Sequence, residues 1–84
     1  MPEELVGSVS DFFVRPVVAG IELIGALKLG DKVHIQGHTT DLEFVVDSMQ
    51  IDNATVDEAE AGDSVGVKVT DRVRSGDKVY KVTD

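Results

Sequence analysis

With 84 residues and 9.0 kDa, the chain has room for one domain, residues 1–84, and a modest core. It has no cysteine, so neither disulfides nor thiolate-bound metal can staple it. Sixteen acidic against eight basic residues give a net charge of −8 at pH 7. That is the wrong sign for the phosphate neutralisation on which unspecific duplex binding runs, so no DNA partner is expected.

The chain carries 15 Val but only 5 Leu and 5 Ala, and stiff β-branched side chains favour strands over helices. Met1-Pro2-Glu3-Glu4 opens without a basic stretch leading into an apolar run, so no secretory signal is expected. The first clear alternation puts Val17, Ala19, Ile21 and Leu23 on one face and Val18, Gly20 and Glu22 on the other. The largely apolar segment 17–29 is interrupted by Gly20, Glu22, Gly25 and Lys28, too short and too polar for a membrane helix. A cytoplasmic protein with no membrane contact is the expectation.

Val33 and Ile35 then alternate with Lys32, His34 and Gln36, and Leu42, Phe44 and Val46 with Asp41, Glu43 and Asp47. Beyond that the apolar phase slips, because Met49 and Ile51 are odd-numbered; a β-bulge or sharp coil is predicted near Asp47-Ser48. Thr55-Val56-Asp57-Glu58 has capping-box spacing, but Gly62-Asp63 follows closely, so 55–61 is predicted to hold at most one helical turn. Val65, Val67 and Val69 form the last regular alternation. Turns are predicted at Arg15-Pro16, Gly25, Gly30-Asp31, Gly37, Asp52-Asn53, Gly62-Asp63 and Gly76-Asp77. Glycine there supplies φ > 0 and aspartate bonds nearby backbone. Short strands at this spacing predict an all-β fold, a small closed antiparallel barrel.

Several motifs approach a known chemistry and miss it. Gly25-Ala26-Leu27-Lys28-Leu29-Gly30-Asp31-Lys32 nearly spells a phosphate loop, but Asp31 stands where the phosphate-binding lysine belongs and Lys32 where a hydroxyl must meet magnesium. It reads as a turn. His34 and His38 on one strand would stand ~13 Å apart, too far for one zinc, and read as surface histidines. The acids Asp52, Asp57, Glu58, Glu60 and Asp63 lack the alternate-position ligands of a calcium loop. Nothing aligns a serine with either histidine. No cofactor, metal or catalytic residue is expected.

Gly7-Ser8-Val9, Gly25 through Ile35, Ala59-Glu60-Ala61-Gly62-Asp63-Ser64-Val65-Gly66-Val67 and Ser75-Gly76-Asp77-Lys78-Val79 together carry a resemblance. The run is similar to the second, β-barrel domain of the elongation factor Tu superfamily. It also resembles the related C-terminal accessory barrel of collagenase-like peptidases, some of them tied to RNA modification. The resemblance implies a closed barrel of about six to eight strands. In the parent factors that barrel packs on a GTPase domain and helps hold the tRNA acceptor end or ribosomal RNA. The family's glycine-rich first loop reads Phe12-Phe13-Val14-Arg15-Pro16 here.

Charge is unevenly spread. Residues 39–63 hold eight acids and no base, whereas 64–84 hold Lys68, Arg72, Arg74, Lys78 and Lys81 against three acids. In a continuing strand Lys68, Arg72 and Arg74 would share a face, with Lys78 and Lys81 folding back beside them. These five, with Phe13 and Arg15, are the expected partner-binding residues. The expected function is a stand-alone, non-enzymatic, translation-associated module binding RNA or a ribonucleoprotein. The alternative is a protein–protein adaptor docking on a GTPase or peptidase.

Overall fold

Valine-rich alternation produces strands along almost the whole chain. The computed structural model describes residues 3–14, 17–38, 40–52 and 54–82, and none of these residues is helical. Ten strands follow in order: β1 (Glu3–Val14), β2 (Val17–Leu23), β3 (Leu27–Lys28), β4 (Lys32–Gln36), β5 (Asp41–Val45), β6 (Met49–Ile51), β7 (Ala54–Val56), β8 (Glu58–Ala59), β9 (Ser64–Lys68) and β10 (Lys78–Val82). Eight form one antiparallel sheet in the order β5-β4-β10-β1-β2-β9-β6-β7, while β3 and β8 pair as a separate ribbon.

The connectivity forces this sheet to curl. β5 and β6 follow one another in sequence, yet they stand at the first and seventh positions of the ladder. The link between them, 46–48, spans at most ~15 Å. Six strand spacings in a flat sheet would take ~29 Å. The predicted break near Asp47-Ser48 is therefore the coil that carries the chain from one end of the sheet to the other.

The predicted barrel closure does not form. β5 and β7 end the ladder without pairing with each other. β3 and β8 pair with one another and not with the ends of the ladder. The Leu29 N–H bond to Asp57 O (2.9 Å) extends this pairing, and bonds from Gly30 N–H to Val46 O (2.8 Å) and from Val46 N–H to Asp31 O (2.9 Å) tie the ribbon's end to the link after β5. The fold is all-β and barrel-like, with an open ladder.

The core-facing rows run straight across the strands. Phe12, Ala19, Val67, Met49 and Val56 are successive cross-strand partners, as are Val9, Ile21 and Val65. Ala19, Ile21, Ile35, Met49, Val67 and Val79 are essentially inaccessible to solvent. Each large aliphatic side chain buried this way stabilises the fold by ~1.5–3 kcal/mol. β1 shows no clean alternation in the sequence because its register shifts twice, between Leu5 and Gly7 against β10 and between Val9 and Asp11 against β2. Val6 and Val9 can then both be buried despite opposite parity.

One turn is built three times, as Lys28-Leu29-Gly30-Asp31, Glu60-Ala61-Gly62-Asp63 and Arg74-Ser75-Gly76-Asp77. In each, the aspartate N–H donates to the carbonyl of the first residue at 3.1 Å, and the glycine has φ of 90°, 95° and 95° respectively. This is the type II pattern, whose third residue requires positive φ. The aspartate carboxylate also accepts the N–H of the first residue, at 3.0, 2.9 and 2.9 Å.

Each turn then grips one buried residue from elsewhere. The glycine N–H donates to the carbonyl of Val46, Leu23 or Val9, and the N–H of that residue donates back to the aspartate carbonyl, all at 2.7–2.9 Å. The helical turn allowed for 55–61 is absent. A stretch this short cannot sustain a helix alone, and β7 and β8 instead find strand partners in β6 and β3.

Candidate functional site

The five basic residues do not converge. The chain leaves strand conformation after Lys68, and residues 69–77 form an irregular connection. Asp71 is exposed between the buried Val69 and Val73, with which it would share a face in a strand, so strand parity does not hold here. Lys68, Arg72 and Arg74 therefore do not share one strand face. The Arg72 N–H donates to Asp71 Oδ1 (2.7 Å), and that of Arg74 to the Asp77 carboxylate (2.9 Å).

Lys78 lies on the outer face of the sheet in the row Gln36–Lys78–Ser8–Glu22–Ser64. Lys68 lies three strands across and four residues along, roughly 20 Å away over the sheet surface. Lys81 occupies a core-facing row with Val33 and borders a groove of about 260 Å³ beside Lys28, Asp31, Glu58 and Glu60. Arg15 lies outside the described residues.

The structure does bring Lys68 and Phe13 together. Phe13, Val18 and Lys68 are successive cross-strand partners on the outer face of β1, β2 and β9. Phe13 is 55% exposed. Beside this row lies a second, Asp11–Gly20–Gly66–Gln50–Thr55, in which two glycines stand directly opposite one another. Val18, Ser48, Gln50, Gly66 and Lys68 line a shallow groove of about 210 Å³ on this face. Gly20, Gly66, Ser48 and Gln50 were not singled out from the sequence. The available signal was the appearance of glycine in the solvent-facing phase of two strands.

His34 is more than a surface histidine. Its side chain is 17% exposed and lies between Glu3 of β1 and Asp41 of β5, its Nδ1 2.8 Å from Glu3 Oε2 and its Nε2 2.5 Å from Asp41 Oδ1. Only an imidazolium can donate to both carboxylates. The hydrogen bond to Asp41 holds the His34 pKa above its ordinary value, against the opposing effect of burial, and Glu3 adds to the rise. The Tyr80 ring of β10 packs 6.4 Å away, centroid to centroid. His38 lies apart, in the bend between β4 and β5.

The near-phosphate loop is a turn, since the Asp31 carboxylate is engaged by the Lys28 N–H. Among the described residues no group of three or more His, Asp or Glu is placed to hold a metal ion. No helix is long and apolar enough to cross a membrane.

No family profile matches the chain. Over 76 residues it is 47% identical to an uncharacterized protease of Methanocaldococcus jannaschii, a match covering 89% of this chain. The chain spans 19% of the length of that relative. Among solved structures, the C-terminal domain of a U32 peptidase from Geobacillus thermoleovorans superimposes with a TM-score of 0.88 at 18% identity, covering 95% of this chain and 93% of that one. Its selenomethionine variant gives 0.85, also at 18% identity, covering 90% and 96%. GDP-bound aIF5B from Aeropyrum pernix gives 0.62 at 19% identity over 94% of this chain and 14% of that larger one. The fold is thus shared by a peptidase C-terminal domain and a translation factor domain.

Proposed function

We propose that this chain is a non-catalytic accessory domain that docks against the body of a U32-type peptidase. The observation that carries this is a domain-for-domain fit. The chain and the peptidase C-terminal domain cover each other almost completely, at 95% and 93%. The same chain matches a short part of a protease, 19% of its length, at 47% identity. The surface chemistry agrees with docking, since it offers apolar and polar contact area side by side.

RNA binding is the second reading, supported by the likeness to a translation factor domain and by the exposed Phe13 beside Lys68. It ranks below docking because the basic residues are dispersed over a body of net charge −8.

The test is a chimaera of the Methanocaldococcus protease in which this chain replaces the matched segment. Calorimetry of the full-length chimaera should show the domain unfolding together with the body. A separate transition at the melting temperature of the free chain would mean that the domain is merely tethered, and the docking reading would fail.

A further inference from the structure

We infer that His34 is a pH-operated clip that fastens β5, at the end of the ladder, to β1 across the outer face of β4 and β10. The clip is closed while the ring is an imidazolium and opens on the Asp41 side when the ring is neutral.

Placement carries this. His34 stands opposite Tyr80 of β10 and Glu43 of β5, and Tyr80 stands in turn opposite Leu5 of β1. From this position the ring reaches a carboxylate on each side, Glu3 of β1 and Asp41 of β5. Those two strands are three places apart in the ladder. β5 is otherwise held in the ladder by β4, its one neighbour there, so the ring gives this end strand a second anchor.

The surrounding charges make the clip a two-state device. Asp41 and Glu43 face the ring from β5, Glu3 from β1, and the Tyr80 phenol from β10, with Lys78 two residues before it on the same face. On β4 itself Lys32 shares the face of His34, and it is already paired with Glu43 at 3.3 Å. The imidazolium is therefore the cation that holds Glu3 and Asp41. A neutral imidazole keeps one N–H and turns a lone pair towards the other carboxylate. At 2.5–2.8 Å two such acceptors repel, and one arm lets go. Exposure decides which. The Asp41 side chain is 80% exposed and that of Glu3 30%, so water replaces the ring at Asp41 with less loss, and the proton stays on Nδ1 towards Glu3. The raised His34 pKa sets the direction: the clip is closed below 6.5 and is lost as pH rises through the folded value.

Nuclear magnetic resonance of the free chain tests it. Above the midpoint the ring nitrogen shifts should report the Nδ1–H form, and the Asp41 carboxyl carbon should move with the same midpoint as the ring. Hydrogen exchange, corrected for the intrinsic effect of pH, should lose about tenfold protection across the midpoint at the β5 amides bonded to β4, and none at those of β9. In Asp41→Asn and in His34→Gln the protection of β5 should no longer change across that window.

A ring that titrates while β5 keeps its protection overturns the inference. The Nε2–H form above the midpoint also overturns it, because Glu3 would then be the arm released. So does a change in β5 protection that persists in His34→Gln. Equal loss in β9 would show that the whole domain loosens rather than its end strand, and would overturn it too.

Discussion

Glycine serves opposite ends in two regions of this molecule. At Gly30, Gly62 and Gly76 it sits in open space with φ near +90°, and the backbone conformation requires it. At Gly66 the conformation is ordinary and the position faces solvent across a regular ladder, while Gly20, also of ordinary φ, stands opposite the β1 bulge. Gly7 belongs with the first group in necessity though not in cause, since a Cβ there would lie 2.5 Å from the Glu22 carbonyl oxygen. A glycine's meaning is thus read from what a side chain would meet and what φ it would adopt. Where neither forbids substitution, as at Gly66, the sheet itself does not impose the glycine.

The sharpest way to break this distinction is Gly7→Ala. The clash is with β2 backbone, which cannot move without tearing the β1–β2 pairing, so a loss above ~3 kcal/mol is expected. Circular dichroism melts should show the cooperative transition lost or displaced far downward. Gly62→Val comes next. It combines left-handed strain with a disturbed clamp on Leu23 and should cost more than ~1 kcal/mol. An unchanged melting temperature would remove the second turn from the account.

Asp63→Ala leaves the glycine in place and removes only the carboxylate that accepts the Glu60 N–H. A loss of about 1 kcal/mol in urea unfolding is expected, smaller than that of Gly62→Val. If the two were equal, the side-chain cap would be the turn's main support and φ secondary.

The smallest effect touches neither set of glycines. Because the His34 pKa is raised in the folded state, its contribution is fully present below the ordinary value of 6.5 and is lost as pH rises through the folded value. The melting temperature should drift downward over that window. In His34→Gln the drift should flatten, while the penalties of the glycine variants stay the same on both sides of it.

Much of the fold was legible from residues alone. Alternation marked the strands around Ala19, Ile35, Phe44 and Val67, the slip between Val46 and Met49 marked the coil that turns the sheet on itself, and all three glycine–aspartate turns stood in the sequence. β1 was illegible because its two register shifts bury Val6 and Val9 together and erase the period. Closure was not legible either, because β5 and β7 end the ladder unpaired while β3 and β8, two residues each, are too short to announce themselves and pair apart. The shared face expected of Lys68, Arg72 and Arg74 misled for another reason, since the chain leaves strand conformation after Lys68 and alternation no longer sets which side a residue faces over 69–77. His34 escaped because its partners Glu3 and Asp41 are distant in sequence and meet it only through the sheet.

The last clamp has a consequence for the order of folding. The turn at Arg74–Asp77 grips Val9, so a residue of the first strand is held by the turn before the last. During synthesis β1 can pair with β2, but its Val9 carbonyl and amide wait for their partners until almost the whole chain has emerged. Contacts so remote in sequence slow folding, because chain closure must precede the reward. A domain stopped before Gly76 leaves the β1–β2 hairpin with an open seam, its Val9 amide and carbonyl without these partners.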